Sequence, residues 1–333
     1  MIFRLSRRFS TLNYNQLRVL FFGSDKFSLA SLRLITEEYK RKSFVQKLCV
    51  VTQVKLQANP VRNFAERENL EVFPWPVNEQ EISGQFDIGV VVSFGHLLGT
   101  SLIKSFPLGM INVHGSLLPR WRGAAPIIHA LMAGDTETGV SIMMIKPKHF
   151  DIGEILAQRR VSVESDVLMP QLHACLANVG GSLLLDCLQD LETSLNNAKP
   201  QSLEGVTYAP KVDKKPETVR WSDLTSTDIF NLYRAFFSFK HLMTNWQGIP
   251  IKLLSVSVRE IKSPDQLSAL KDKPSGSFIY HKQEKCLIVK CSQQTYLNVL
   301  SVGIEGKRAM SALDFCNGFT RKRSKSQETN SFH

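Results

Sequence analysis

The sequence lacks the signatures of several large protein classes. Its six cysteines include no C-x-x-C pair, so neither a zinc site nor a disulfide framework is indicated. No apolar run approaches the roughly 18–20 residues that a membrane helix needs. The turn Gly23-Ser24-Asp25 is not G-x-G-x-x-G, which leaves a dinucleotide-binding fold with little support. We therefore expect a globular protein with free thiols, no bound metal and no membrane partner.

Acidic residues are absent from the start of the chain, where the first one is Asp25. The segment before it is rich in arginine and hydroxyl residues, a composition typical of mitochondrial transit peptides. It lacks the continuous apolar core of a secretory signal. We predict a transit peptide over 1–16 and a location in the mitochondrial matrix. A short basic arm that binds RNA is the alternative.

Positive charge is concentrated near the other end of the chain. Residues 208–333 contain 20 Lys and Arg against 11 Asp and Glu, in a chain whose formal net charge is +11. Such an asymmetry favours a polyanionic partner. The alternative is a lysine-rich surface that only promotes solubility.

Hydrophobic patterning divides the chain into two regions. Strand-like runs alternate with helix-like stretches as far as about residue 191, which indicates an α/β fold with a doubly wound, mostly parallel sheet. Short β-like runs between turn residues follow from about residue 249 and indicate a small, OB-like β-barrel. The predicted organisation is a transit peptide (1–16), an α/β domain (17–200), a linker (201–213), a C-terminal β-barrel domain (214–318) and a basic tail (319–333).

One segment combines side chains suited to acyl transfer. Ligands of doubly wound sheets bind beyond the carboxyl ends of the strands. Strand alternation places Asn112 and His114 on one face at such an end, and Asp151 follows a later strand. An amide and an imidazolium can hydrogen-bond the oxyanion that forms when an amine attacks a carbonyl, and the same groups can relay the proton. Each residue alone is more often structural, so the prediction rests on their co-occurrence.

The motif N-V-H-G-S-L-L-P-R-W-R-G-A-A-P-I over 112–127 resembles the signature of folate-dependent formyltransferases. Its A-A-P-I ending and the basic region that follows are most similar to the branch that formylates methionyl-tRNA. The resemblance implies that Asn112, His114 and Asp151 are catalytic. It implies 10-formyltetrahydrofolate as co-substrate, initiator methionyl-tRNA as acceptor, and a monomer. The folate-binding residues that it implies are Ser116, Leu117, Leu118, Pro119, Phe94, His96, Leu97 and Leu98.

Basic side chains are the candidates for contacts with tRNA phosphates, which position an RNA without reading its sequence. The candidates are Lys55, Arg120, Arg122, Lys211, Lys252 and the cluster over 321–325. Arg122 has a structural ion pair as its alternative role. The long basic loop of bacterial relatives is short here, over 53–59. Two other functions remain open: transfer to a different amine, such as an amino sugar, and RNA binding without catalysis.

Overall fold

A computed structural model of the chain describes residues 14, 16–53, 59–259, 264–320 and 330–333. The predicted transit peptide, apart from residues 14 and 16, lies outside the described residues, as do Lys55 and the basic cluster over 321–325. The chain forms two compact units. One comprises 1–127, 136–164 and 171–211, and the other comprises 128–135, 165–170 and 212–333.

The first unit is an α/β domain, as the alternation of strands and helices predicts. Its strands are β1 (Leu17–Phe22), β2 (Val45–Thr52), β3 (Glu71–Pro74), β4 (Ile88–Val92), β5 (Met110–His114), β6 (Glu137–Met144) and β7 (Ile155–Ser162). The helices up to residue 196 are α1 (Lys26–Lys40), α2 (Pro60–Arg67), α3 (Glu79–Ile82), α4 (Thr100–Lys104), α5 (Pro126–Met132), α6 (Met169–Gln189) and α7 (Leu191–Asn196).

The sheet order within the described ranges is β3-β2-β1-β4-β5-β6-β7. Strands β1 to β5 pair in parallel, and β6 and β7 join antiparallel. The predicted mostly parallel, doubly wound sheet is confirmed. The order reverses between β1 and β4, and the carboxyl ends of β1, β4 and β5 therefore lie side by side at one edge.

Burial explains why these segments form the centre of the sheet. Every residue of β4 is buried, as expected for a strand covered on both faces. An ion pair joins β1 and β4 at their amino ends. The Arg18 guanidinium donates to both carboxylate oxygens of the buried Asp87, at 2.6 Å to Oδ1. Arg18 is thus fixed as part of β1, within the predicted α/β domain.

The second unit contains mainly antiparallel strands. They are β8 (Glu217–Thr218), β9 (Leu242–Trp246), β10 (Ile249–Ser257), β11 (Phe278–His281), β12 (Cys286–Lys290), β13 (Tyr296–Ile304) and β14 (Met310–Ser311). The α-helices that accompany them in the described ranges are α8 (Ser226–Phe236), α9 (Pro264–Lys271) and α10 (Ala312–Phe315), and a 3-10 turn (Ser292–Gln294) and a π-helical turn (Cys316–Thr320) are also present. The strand order is β11-β12-β13-β10-β9-β8, with β14 beside β13 and only the β8–β9 pair parallel among the described strands. A separate C-terminal domain of antiparallel strands is confirmed.

The end of the chain is folded into this unit, although the sequence predicts a tail over 319–333. Phe332 is buried and stacks on Phe278 at 4.5 Å between ring centroids. The backbones of His333 and Asn245 exchange two hydrogen bonds of 2.8 Å. The stacking of Phe332 and the backbone hydrogen bonds of His333 fix the last residues. In the sequence, Phe332 was the available signal, and the basic cluster before it favoured the prediction of a tail.

The cysteines are free thiols, and all but Cys175 are buried. Burial raises the pKa of Cys49 and Cys291 to about 12 and that of Cys187 and Cys286 to about 11, because desolvation disfavours a thiolate. Among the described helices, none is long and apolar enough to span a bilayer.

Candidate active site

The candidate catalytic side chains lie at the carboxyl edge of the parallel sheet. His114 is the last residue of β5 and is 6% exposed. Asn112 precedes it by two residues on the same strand and is half-buried, in register with Val91 on β4 and Met143 on β6. Asp151 lies in the loop between β6 and β7. This is the edge at which doubly wound sheets place their ligands.

The structure brings His114 and Asp151 together. The distance from His114 Nδ1 to Asp151 Oδ1 is 3.8 Å, and both side chains are largely buried. His114 Nε2 lies 2.9 Å from the carbonyl oxygen of Trp121, which can only accept, so Nε2 carries the proton in this arrangement. The 3.8 Å gap exceeds hydrogen-bond reach, as is common in active sites without substrate.

Asn112 is not hydrogen-bonded to that pair. Its amide makes no hydrogen bond to any described residue, although it shares a strand face with His114. A half-buried amide at the ligand edge of the sheet keeps both its donor and its acceptor available to a bound molecule. Two of the three predicted catalytic side chains are thus neighbours, and the third is placed beside them by the strand.

Two glycines let the loops approach closely enough to hold Asp151. Asp151 Oδ2 accepts a hydrogen bond of 2.8 Å from the Gly123 backbone N–H. A Cβ on Gly123 would lie 2.5 Å from the Ala209 carbonyl oxygen, and a Cβ on Gly153 would lie 1.7 Å from that of Met144. The glycine of the sequence Asp151-Ile152-Gly153 therefore has a steric cause, since only glycine lets this loop return against the end of β6.

The segment over 201–213, predicted as a linker, forms part of the frame of this site. Thr207 Oγ1 accepts a hydrogen bond of 2.8 Å from the Trp121 backbone N–H. The backbones of Arg122 and Ala209 are also joined, at 2.7 Å. Gln201 donates from Nε2 to the carbonyl oxygens of Asp151 and Gly153, each at 2.9 Å.

Sequence reasoning missed Gln201 and Thr207 because the segment has no helical or strand periodicity. The signal available was the turn-rich composition after Pro200, which equally describes a free connection.

The loop over 116–119 is shaped by buried polar contacts. Ser116 is fully buried and donates from Oγ to the Arg120 carbonyl at 2.6 Å. Ser141 Oγ accepts from the Leu118 backbone N–H at 3.0 Å, and Gln158 Nε2 donates to the Leu118 carbonyl at 2.8 Å. Leu118 is buried, whereas Leu117 and Pro119 are half-buried. Of the four predicted folate-binding residues in this loop, Ser116 and Leu118 hold its conformation. Leu117 and Pro119 remain accessible to a ligand.

The loop after β4 carries an aromatic cluster. Phe94 is buried edge-on against Trp75, with ring centroids 5.1 Å apart. His96 is half-buried, lies 5.4 Å from Trp75 at a tilted angle and hydrogen-bonds Gln53. Leu98 is buried, and Leu97 is 61% exposed. Rings beside an exposed leucine can cover one face of a flat heteroaromatic group.

The candidate phosphate contacts have different surroundings. The Arg120 guanidinium stacks on the Trp121 ring at 4.3 Å. Arg122 donates to Gln201 Oε1 from Nε at 3.0 Å and from Nη2 at 2.7 Å, so its partner is an amide and not the carboxylate of an ion pair. Lys211 is exposed, and Lys252 is half-buried on β10.

Comparison with known proteins identifies the family. The model of the formyl transferase family matches residues 17–188, and that of the formyl transferase C-terminal domain matches residues 211–320. The human mitochondrial methionyl-tRNA formyltransferase is 42% identical over 307 residues, covering 91% of this chain and 77% of the human protein. The chain belongs to the methionyl-tRNA formyltransferase family.

Other relatives extend this family assignment to bacteria. The methionyl-tRNA formyltransferase of Symbiobacterium thermophilum is 34% identical over 316 residues, covering 91% of this chain and 92% of its own length. Among solved structures, an N-formyltransferase from Helicobacter canadensis in complex with folinic acid and dTDP-3-aminofucose aligns with a TM-score of 0.63 at 14% identity. It covers 85% of this chain and 98% of its own. That likeness establishes the shared fold.

Proposed function

We propose that this chain transfers the formyl group of 10-formyltetrahydrofolate to the α-amino group of initiator methionyl-tRNA in the mitochondrial matrix. The product, formylmethionyl-tRNA, would serve to initiate mitochondrial translation. Family membership supports the reaction, and relatives named as mitochondrial enzymes support the compartment. The observation that carries the proposal is the convergence of His114, at the end of β5, and Asp151, in the loop between β6 and β7, at the ligand edge of the sheet beside Asn112.

The proposed roles follow from the chemistry of the three groups. Asn112 and His114 donate hydrogen bonds to the formyl oxygen as negative charge develops on it, and His114 does so through Nε2 in place of its contact with the Trp121 carbonyl. Such a stabilisation is typically worth roughly 3–4 kcal/mol per preorganised donor. Asp151 stabilises a positive charge on the imidazole, 3.8 Å away, while the amine's proton passes to the leaving nitrogen. The attacking α-amine has a reference pKa of ~7.7–8.0, so a useful fraction is neutral near neutral pH.

The aromatic cluster after β4 and the loop over 116–119 suit the folate co-substrate. Trp75 and His96, which pack on the buried Phe94, offer ring faces to a pterin, and the exposed Leu97 adds apolar surface. The co-substrate supplies the formyl group. In the part of the chain that is described, no cluster of three or more His, Cys, Asp or Glu side chains could hold a metal ion.

The excess of basic residues after position 208 supports a tRNA acceptor over a small amine. Lys211 and Lys252, together with Arg120 and Arg122, stay candidates for phosphate contacts. The salt dependence of the KM for the acceptor distinguishes tRNA from a small amine. The KM for methionyl-tRNA should rise steeply as salt increases, because phosphate contacts release counterions, whereas the KM for a neutral amine would not.

The direct test incubates the protein with 10-formyltetrahydrofolate and methionyl-tRNA and measures formylmethionyl-tRNA. Other aminoacyl-tRNAs and a dTDP-amino sugar serve as competing acceptors. We expect product from methionyl-tRNA, and none from the same mixture with His114→Ala. Preferential formylation of the amino sugar would reject the acceptor, and equal rates for His114→Ala and the unmodified chain would reject the site.

A further inference from the structure

Gln201 links the loop that carries Asp151 to the loop that follows His114. Its Nε2 donates to the carbonyl oxygens of Asp151 and Gly153, both at 2.9 Å. Its Oε1 accepts from Arg122 at 2.7 and 3.0 Å. The adjacent Gly123 backbone N–H donates to the Asp151 carboxylate at 2.8 Å. These contacts form a closed ring that fixes Asp151 through both its main chain and its side chain.

The main chain of Asp151 needs such support. Its φ of 52° lies in the left-handed region, which non-glycine residues seldom occupy and which costs free energy unless neighbouring contacts impose it. Both carbonyl oxygens held by Gln201 flank the turn. A side chain without donors would leave two carbonyls without their partner and remove the restraint on the turn.

Only some side chains can provide this arrangement. It requires two N–H donors for the carbonyls and one acceptor for Arg122 on the same terminal group, which an amide supplies. Arg122 fixes the orientation of that amide, because a guanidinium only donates and therefore selects the oxygen of Gln201. The NH₂ group must then face Asp151 and Gly153.

We infer that Gln201, oriented by Arg122, is a positioning residue that holds the Asp151 carboxylate in its reactive place beside His114. The inference rests on the proposed function, in which Asp151 takes part in formyl transfer. It also assigns the segment over 201–213 a role in the reaction, and it gives the Arg122 guanidinium a function within the site.

The principal test replaces Gln201 with leucine, which is similar in size and lacks donors and acceptors. A displacement of a catalytic group by about 1 Å can cost about 10²-fold in rate. We expect kcat for formylmethionyl-tRNA to fall by roughly 30- to 100-fold, with the KM for each substrate nearly unchanged. Gln85→Leu is the matched control: the Gln85 amide also bridges two partners, Lys47 and the Glu81 carbonyl, but it is exposed and far from the site in sequence. It should keep the rate of the unmodified chain.

A double-mutant cycle separates positioning from a general structural effect. If Gln201 acts through Asp151, then Gln201→Leu combined with Asp151→Asn should be no slower than Asp151→Asn alone, within a factor of about three. Two independent defects would multiply instead. Should the leucine variant fail to fold, Gln201→Glu takes its place. Glutamate keeps an acceptor for Arg122 but turns a carboxylate towards two carbonyl oxygens.

The outcomes distinguish the two proposals. A folded Gln201 variant with an unchanged kcat would overturn the inference, as would defects that multiply in the double mutant. Either result would leave the proposed function intact, provided that Asp151→Asn is itself strongly impaired. An Asp151→Asn variant with normal activity would instead remove the catalytic role on which the inference depends.

Discussion

Replacing Asp151 with asparagine isolates the charge of the carboxylate from its structural contacts. The side chain keeps its size, and its amide oxygen can still accept the hydrogen bond from the Gly123 backbone N–H, 2.8 Å away. What disappears is a negative charge 3.8 Å from His114 Nδ1. The variant should therefore fold normally and fail in the reaction.

The size of the effect follows from the separation of the two groups. Opposite unit charges at about 4 Å interact by roughly 4 kcal/mol at an effective dielectric constant of about 20. Since ~1.4 kcal/mol corresponds to a tenfold change in rate, losing this stabilisation of an imidazolium should lower kcat by about 10³-fold. The KM for the folate should change little, because the charge acts mainly as the imidazolium forms.

The assay is steady-state formylation of methionyl-tRNA, combined with thermal unfolding to verify the fold. Asp186→Asn is the matched control, since Asp186 pairs with Arg159 at 2.9 Å and its side chain is 61% exposed. We expect the control to stay within about twofold of the unmodified chain, as surface ion pairs contribute little. A loss below tenfold for a folded Asp151→Asn would refute the electrostatic reasoning.

Three further predictions concern stability and reactivity. Gly153→Ala should lower the free energy of unfolding by about 1–3 kcal/mol, because the new methyl group would meet the Met144 carbonyl; an unchanged melting temperature would contradict this close approach. Asp87→Ala should cost about 1.5–3 kcal/mol in urea unfolding, since the buried carboxylate accepts hydrogen bonds from the Arg18 backbone N–H and from the partly exposed Arg18 guanidinium; a cost below ~1 kcal/mol would show that solvent replaces these contacts. A thiol reagent at about pH 8 should label the native chain once, at Cys175, because burial protects the remaining thiols; rapid labelling of a second cysteine would disprove their burial.

Local patterning was sufficient to predict most of the first unit. Strands such as β4 are continuous apolar runs because both faces of the sheet are covered, and the helices between them show helical spacing. The family follows from the motif over 112–127, and the comparisons confirm it. Strand β7 was not predicted because none of its residues is fully buried, and Arg159 and Arg160 interrupt its apolar pattern.

The contacts that hold the candidate site together could not be predicted from the hydrophobic periodicity of the sequence. Gln201 contacts Asp151 and Arg122, which are 50 and 79 positions away in the chain, and no local pattern encodes such contacts. The sequence predicts that Asn112, His114 and Asp151 share a site. The structure places the last two within 3.8 Å, while their catalytic roles stay predictions. The contact between Trp121 and His114 could not be predicted from the sequence either, since it is made by a backbone carbonyl.

The measurement that tests the central claim most directly is a crystal structure of the protein with an unreactive analogue of 10-formyltetrahydrofolate. We predict that the carbonyl oxygen of the analogue lies about 3 Å from both Asn112 Nδ2 and His114 Nε2, with Asp151 beside the imidazole ring. An analogue bound with its carbonyl turned away from His114, or seated at another edge of the sheet, would contradict it.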